Sequence, residues 1–369
     1  MPTDNNDEVA CNDCDVLFER VDLCESDYDG YLRCDGCHEE HISDLEDEES
    51  QRDGYDGTDG IHYHDWNPPR FMYHHDNGRS SSYYEVVGER PVLYFGPELE
   101  VESERCDRTE GVDVVQRHNE GLLYLKEDGS INHGFEIVGH PMSLGYVQNH
   151  ADQLWRTMDG LRRIGFRSWQ TSTCGLHIHI SKNAFHNDAH QQKFLYFMYN
   201  ENNKPMLVRF AGRNSHWSKF RKDLYLGYDG SDSDGNDVTL LEAIKGRRKD
   251  GTRVNTSWDR YLAVNSRNQH THELRFFRPS LQPHALRACI EFCAALFDYT
   301  ASVTASDSIN RRAMEFDKFA EFAQANKSKY PDFVPRLNKR VYNISPVSVY
   351  AVNPSDDGGF GDIRDDGSV

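Results

Sequence analysis

Three segments of this chain alternate ionisable and apolar side chains at period two. In FGPELEVE (Phe95–Glu102), Glu98, Glu100 and Glu102 fall on alternate positions; in GLHIHIS (Gly175–Ser181), His177 and His179 do; in THELRFFR (Thr271–Arg278), Glu273 and Arg275 do. Successive strand side chains point to opposite faces, so each segment predicts a β-strand with one ionisable face and one apolar face, Leu176, Ile178 and Ile180 taking the apolar side in the second and Leu274 and Phe276 in the third. LLYLK (Leu122–Lys126) and FEIVG (Phe135–Gly139), joined by the turn-rich EDGSINHG, read as a β-hairpin, and YLAVNS adds a further strand. Helical spacing covers Leu144–Ile164, where Val147, Leu154, Met158 and Leu161 recur at three and four. It returns over Asp188–Gly212 with a break at Pro205, and over Gln282–Thr304 and Ser308–Asn326. Strands that pair antiparallel, with helices grouped against them, predict an α+β domain.

The chain has 369 residues, 37% hydrophobic and 12% aromatic, enough to bury a sizeable core and too many rings for a chain disordered throughout. Its longest apolar runs, such as Ala288–Tyr299, are interrupted by Cys, Glu and Asp and fall short of the ~20 residues of a bilayer span, so no membrane helix is expected. The start, Met-Pro-Thr-Asp-Asn-Asn-Asp, has neither the basic region nor the apolar core of a secretory signal, and the expected location is cytoplasmic. Of the net charge of −20, residues 1–60 carry −18, from 21 acids against three arginines, which leaves −2 for the rest. An acidic head repels phosphate backbones, so nucleic acid is not an expected partner.

Five of the nine cysteines lie in the first 37 residues. Cys11-x2-Cys14 and Cys34-x2-Cys37, 19 residues apart, have the paired-knuckle spacing of a four-cysteine structural zinc site. A metal-free leader is the plainer alternative. A disulfide framework fits less well, because no secretory signal is present and Cys24 would be left over. Residues 1–41 are thus expected to form a zinc-binding module, able to dock a protein partner, and 42–60, acidic and rich in Gly and Asp, a linker. A strap rich in His and aromatic residues (IHYHDWNPPRF) leads into the main domain, expected over 61–328, with 329–369 as a C-terminal extension and tail. His62, His64, His74 and His75 in this region read as a polar coat on a surface loop rather than as metal ligands. The polar loop 228–256 carries no recognisable code.

A strand of alternate glutamates is often only the solvent face of a half-buried sheet. Glu136, however, sits among Phe135, Ile137 and Val138, where an unpaired carboxylate is costly. Four acids on neighbouring strands point to cation ligands, and His177 and His179, on one face after Gly175, add nitrogen donors. An oxygen-rich set with a little nitrogen suits Mg²⁺ or Mn²⁺, ions that most often serve nucleotide phosphates. No P-loop and no G-x-G-x-x-G occurs, so bound ATP would be held by metal and by the forks of Arg275 and Arg278.

The ordered set FGPELEVE, KEDGSINHGFEIVGHP (Lys126–Pro141), CGLHIHIS and NSRNQHTHELRFFR (Asn265–Arg278) resembles the amidoligase family, a branch of the carboxylate-amine ligase superfamily that contains glutamine synthetase and glutamate-cysteine ligase. The resemblance spans roughly residues 60–305, and the cysteine pairs also look like those of amidoligases from phage and bacterial genomes. It implies a curved antiparallel sheet of the glutamine synthetase-like type, with helices on one face, around two or three divalent ions. By the same resemblance Glu98, Glu100, Asp128, Glu136, His177 and Glu273 are metal ligands, His179 a supporting or substrate contact, Arg275 a phosphate-binding residue and Arg213 a further nucleotide-binding arginine. The implied activity is ATP-dependent amide-bond formation between a carboxylate, of a small molecule or peptide, and an amine, through an acyl phosphate. Two alternatives stand beside it. One is a metal-dependent hydrolase using His177 and His179 with zinc-bound water, and the other a non-enzymatic adaptor that docks through the cysteine module.

Overall fold

The computed structural model describes residues 8–10, 17–19, 23–25 and 32–34, then 60–213, 218–220, 262–304, 307 and 311–342, apart from 69, 82–85, 88, 89, 120, 132, 170, 172 and 267. The chain divides into two compact units, Met1–Tyr63 and His64–Val369. In the first, β1 (Glu8–Ala10) pairs antiparallel with β2 (Leu17–Glu19), and β3 (Leu23–Glu25) with β4 (Leu32–Cys34). Cys11, Cys14 and Cys37, the linker 42–59, the loop 228–256 and the tail from 343 lie outside the described residues.

The second unit runs β5 (Tyr73–His74), β6 (Ser80–Ser81), β7 (Val86–Val87), β8 (Arg90–Pro91), β9 (Tyr94–Glu102), α1 (Arg108–His118), β10 (Leu123–Lys126), β11 (Gly134–Gly139), β12 (Met142–Ser143), α2 (Leu144–Asn149), α3 (Asp152–Ile164), β13 (Leu176–Ser181), α4 (Asp188–Tyr199), α5 (Lys204–Ala211), β14 (Val264–Asn265), β15 (Thr271–Phe277), α6 (Pro283–Ser302), α7 (Phe316–Ala325) and α8 (Phe333–Leu337). Among the described residues this is an α+β fold with eight α-helices and a mixed, mostly antiparallel open sheet. No helix among them is long and apolar enough to cross a membrane.

Strand β9 is the axis of the sheet. One edge pairs with β13, which pairs with β15 and then β14; the other edge is shared by β11 along Glu98–Glu102 and β12 along Tyr94–Phe95. All these pairings are antiparallel; β12 then pairs parallel with β5. Period-two alternation fixes this register. Leu99 faces Ile137 and Leu176, Val101 faces Phe135, and Ile178 faces Leu274, so one side of four adjacent strands is apolar and buried.

Helices cover that side. Phe276 and Phe277 meet Phe292 of α6 at 5.9 and 5.8 Å, and Phe292 also touches Phe210 of α5, Phe319 of α7 and Phe333 of α8. Glu291, fully buried beside Phe292, accepts 2.8 Å bonds from the N–H groups of Asp332 and Phe333 at the start of α8 and from Gln148 of α2. Residues 330–341 therefore belong to the packed body, and the domain end expected at 328 falls inside it.

Two local expectations are corrected, and one helix carries no sequence signal. The helix expected over 144–164 is two, because His150 leaves helical geometry (φ −134°, ψ −1°) and places Nε2 3.1 Å from the Asp76 carbonyl, and α3 restarts at Asp152. Its far end is set by Gly165, whose φ of +100° is a left-handed cap. Helix α1 had no helical signature: its buried residues are Gly111 and three valines, which favour strands, and it is started by Asp107 accepting from Thr109 N–H. His74 and His75 are not a surface coat. They are buried in and beside β5, where His75 Nδ1 lies 2.6 Å from the Tyr94 hydroxyl and burial lowers His74 to about 4.

Phe292 is buried at the meeting point of the sheet and three other helices. Truncation by Phe292→Ala should cost about 3–5 kcal/mol, read from urea unfolding; a loss below about 1 kcal/mol would contradict this packing of the core.

Candidate metal centre

The polar side of the same four strands carries the ionisable residues, and the register that buries the apolar side brings them together. Glu136 of β11 lies directly across from Glu100 of β9, Glu98 from His177 of β13, and His179 from Glu273 of β15. Glu98 sits at the centre. Its Oε1 is 3.2 Å from His179 Nε2 and its Oε2 3.5 Å from His177 Nδ1. His177 Nδ1 is also 3.5 Å from Glu273 Oε1, and His177 Nε2 4.0 Å from Glu100 Oε1. Two overlapping sets, Glu98–Glu136–His177 and Glu98–His179–Glu273, each have one donor atom per residue within 4.8 Å of the others.

Neighbouring groups fix these side chains. Glu100 Oε2 accepts from the backbone N–H of Gly175 at 2.5 Å. A Cβ at Gly175 would lie 2.8 Å from an Arg213 Nη1 and 3.1 Å from His177 Nε2, so the missing side chain is what admits this packing. His179 Nδ1 lies 2.8 Å from Thr271 Oγ1, leaving Nε2 to face Glu98, and Asn265 Nδ2 donates to Glu273 Oε2 at 2.8 Å. Arg275 Nη1 donates to Glu273 Oε1. A bulge sets up this end: between Leu176 and Ile178, two steps on β13 span three on β15. Consecutive Phe276 and Phe277 are therefore both fully buried.

Electrostatics separates the acids. Burial opposes ionisation of Glu98, yet His179 and His177 together hold its carboxyl well below the usual carboxylate range. Glu136 is pushed well above that range, first by burial and then by Glu98 and Glu100. Burial also raises Glu100, with Asp128 adding to the rise. Burial works against protonation of His179, but the contact with Glu98 outweighs it and lifts the imidazole to about 9. Buried carboxylates at this spacing need a proton or a cation between them, and carboxylate oxygens with two imidazoles are the donor set of a divalent ion. The residues fit such an ion.

Of the other residues singled out from sequence, Asp128 stands near enough to act on Glu100 and Glu136, but its Oδ1 accepts from Ser130 N–H in the β10–β11 turn, and it joins neither donor set. Arg213 acts on Glu100 and approaches Gly175. Arg278, buried, stacks its guanidinium 4.4 Å over Trp169, so the fork expected beside Arg275 packs on an indole ring. Sequence reasoning missed Tyr124, whose phenol is raised by burial and by Glu98 and Glu136, and the supporting Thr271 and Asn265. Tyr124 stands at an alternate position of β10, so its face was predictable but its neighbours were not.

No protein-family model matches this chain, and no curated protein matches it.

A cation entering this centre displaces the protons that Glu136 and His179 hold above their ordinary ranges. Affinity for Mn²⁺ should therefore rise with pH up to about 9, where His179 is deprotonated without help, by about tenfold per pH unit for each proton displaced. Calorimetry in buffers of different ionisation enthalpy reads both affinity and protons released. A pH-independent affinity with no proton release would contradict these charge states.

Proposed function

We propose that the main unit is an ATP-dependent carboxylate-amine ligase of the amidoligase kind, using Mg²⁺ or Mn²⁺. The observation that carries this is the convergence of Glu98, Glu136, His177, His179 and Glu273, from four adjacent strands, into two donor sets that share Glu98, with Arg275 on the rim. One shared carboxylate between two sets is an arrangement for two neighbouring cations, the kind that clamps a transferring phosphoryl group. The sheet order and the resemblance of its motifs to amidoligases point the same way, and with them a glutamine synthetase-like form of the sheet.

In this reaction a substrate carboxylate oxygen attacks the γ-phosphorus of ATP, the bond to the β–γ bridging oxygen breaks, and ADP leaves. The resulting acyl phosphate is attacked at carbon by an uncharged amine; phosphate departs and the nitrogen gives up one proton as the amide forms. Divalent cations, when bound, neutralise charge on the phosphate oxygens. The chain's own part is placement and charge. Glu98, Glu136 and Glu273 would hold the cations, with His177 and His179 completing the sets, and Thr271 and Asn265 hydrogen-bond His179 and Glu273 in place. Arg275 supplies positive charge to the phosphoryl oxygens at the rim.

For residues 1–41 we propose a structural zinc module on Cys11, Cys14, Cys34 and Cys37, supported by the spacing and by two short hairpins, with Cys34 closing β4. Its role would be to dock a protein partner in the cytoplasm.

The test is ADP release with Mg²⁺ or Mn²⁺ across amino acids, polyamines and peptides. Amine-dependent ADP release is expected, lost in Glu98→Gln, and Arg275→Ala should slow it by about 10²–10³. Metal-dependent cleavage of a substrate without nucleotide would overturn the ligase in favour of a hydrolase.

A further inference from the structure

Arg275 makes a contact that a phosphate-binding residue has no need of. Its Nη1 donates to Glu273 Oε1, and Glu273 belongs to the Glu98–His179–Glu273 donor set. Glu273 Oε2 already accepts from Asn265 at 2.8 Å, so Oε1 is the oxygen left for a cation, and His177 Nδ1 faces that same atom at 3.5 Å. A guanidinium and a divalent ion would therefore compete for one oxygen. At its other end Arg275 is poorly used: Nε is buried and has no hydrogen-bond acceptor among the described residues. A buried guanidinium donor without an acceptor is costly. An oxyanion that took Nε and one Nη together, the fork geometry guanidinium favours, would remove that cost.

We propose that Arg275 is an exchange residue: a divalent cation displaces it from Glu273 Oε1, and the released guanidinium then binds a tetrahedral oxyanion of the phosphate class, so that cation and oxyanion bind with positive coupling. The inference rests on the metal centre proposed above and adds to it the element that links the two ligands. Asn265 keeps Glu273 in place during the exchange, so only the arginine has to move. Its backbone is pinned by its N–H to the Ala263 carbonyl at 2.9 Å, which confines the motion to the side chain. By linkage, the cation must tighten oxyanion binding by the same factor as the oxyanion tightens cation binding.

The experiment is calorimetric titration of the full chain with Mn²⁺, alone and at fixed sulfate or inorganic phosphate, in wild type, Arg275→Gln and Arg275→Lys. Gln keeps much of the aliphatic stem and can still donate to Glu273, so it tests the charge and the fork should Ala disturb folding. In wild type either anion should tighten Mn²⁺ binding, on the scale of about 5–150-fold usual for coupled sites. Arg275→Gln should bind Mn²⁺ several-fold more tightly than wild type without anion, since a neutral amide competes for Glu273 far less well than a charged guanidinium, and should lose the coupling. Arg275→Lys should keep the weaker Mn²⁺ affinity and recover only part of the coupling. An Arg275→Gln protein that binds Mn²⁺ more weakly than wild type, or that keeps the full coupling, overturns the exchange and leaves the metal centre standing. Wild type that binds no Mn²⁺ overturns the centre and the exchange with it. None of these readouts requires the ligase substrates.

Discussion

Everything in the main unit depends on how Glu98 is kept charged in the middle of a sheet. A carboxylate on the central strand, with neighbours hydrogen-bonded on both edges and a side chain only 23% exposed, is largely withdrawn from water, which favours uptake of a proton. His179 at 3.2 Å and His177 at 3.5 Å prevent that, because both stand on β13, which pairs with β9 across Glu98. Glu98 then sets the state of the others. Its charge lifts His179 to about 9 and helps push Glu136 above the carboxylate range, so a single side chain determines where protons sit across three strands.

The same register is what the core enforces. Side chains on a strand alternate strictly, so sliding β13 by one residue against β9 would carry His177 and His179 into the apolar layer and bring Ile178 and Ile180 out among the glutamates. The cost falls on both faces at once. Burial of Leu99, Ile178, Leu274 and Phe276 thereby holds the polar groups in position without any contact to them, and the site inherits its rigidity from the packing of Phe292 and its neighbours on the far side. The β15 bulge departs from this rule. It lets the pair Phe276–Phe277 bury both rings, 4.3 Å apart, where regular alternation would have sent one of them to the polar face beside Glu273 and Arg275.

Much of this was legible in the residues. Period-two charge named Glu98, Glu100, His177, His179, Glu273 and Arg275 as sharing faces, and Glu136 declared itself by an apolar setting that forbids a lone carboxylate. Pro205 signalled a break that falls just before it, at Asn200–Asn203, with the proline itself in the first turn of α5. What could not be read were effects that need a partner distant in sequence. His150 breaks a helix because Asp76, 74 residues earlier, offers a carbonyl. His74 and His75 look like solvent-facing polar residues until β5 is seen beside β12. Arg278 resembles a second phosphate fork, yet its position after the bulge sets it on Trp169. Tyr124 carried no signal of its own, since one tyrosine in a hairpin strand is ordinary until the opposing acids are placed.

The competition at Glu273 bears on why an arginine follows two residues after a metal-type glutamate. Residues i and i+2 on a strand face the same way, so a cation at position i+2 neutralises the acid at i whether or not anything else is bound. That makes burial of Glu273 tolerable in folding, in contrast to Glu136, where the neighbouring acids Glu98 and Glu100 add to the effect of burial. The two ends of the donor array therefore solve one problem differently. At the Glu136 end a proton offsets the repulsion and must leave before a cation can enter; at the Glu273 end the Arg275 guanidinium stands against the carboxylate and is exchanged, while His179 of the same donor set gives up its proton. A site built this way releases protons as cations enter and frees a guanidinium at the Glu273 end, so that entry of cations prepares the rim for an anion.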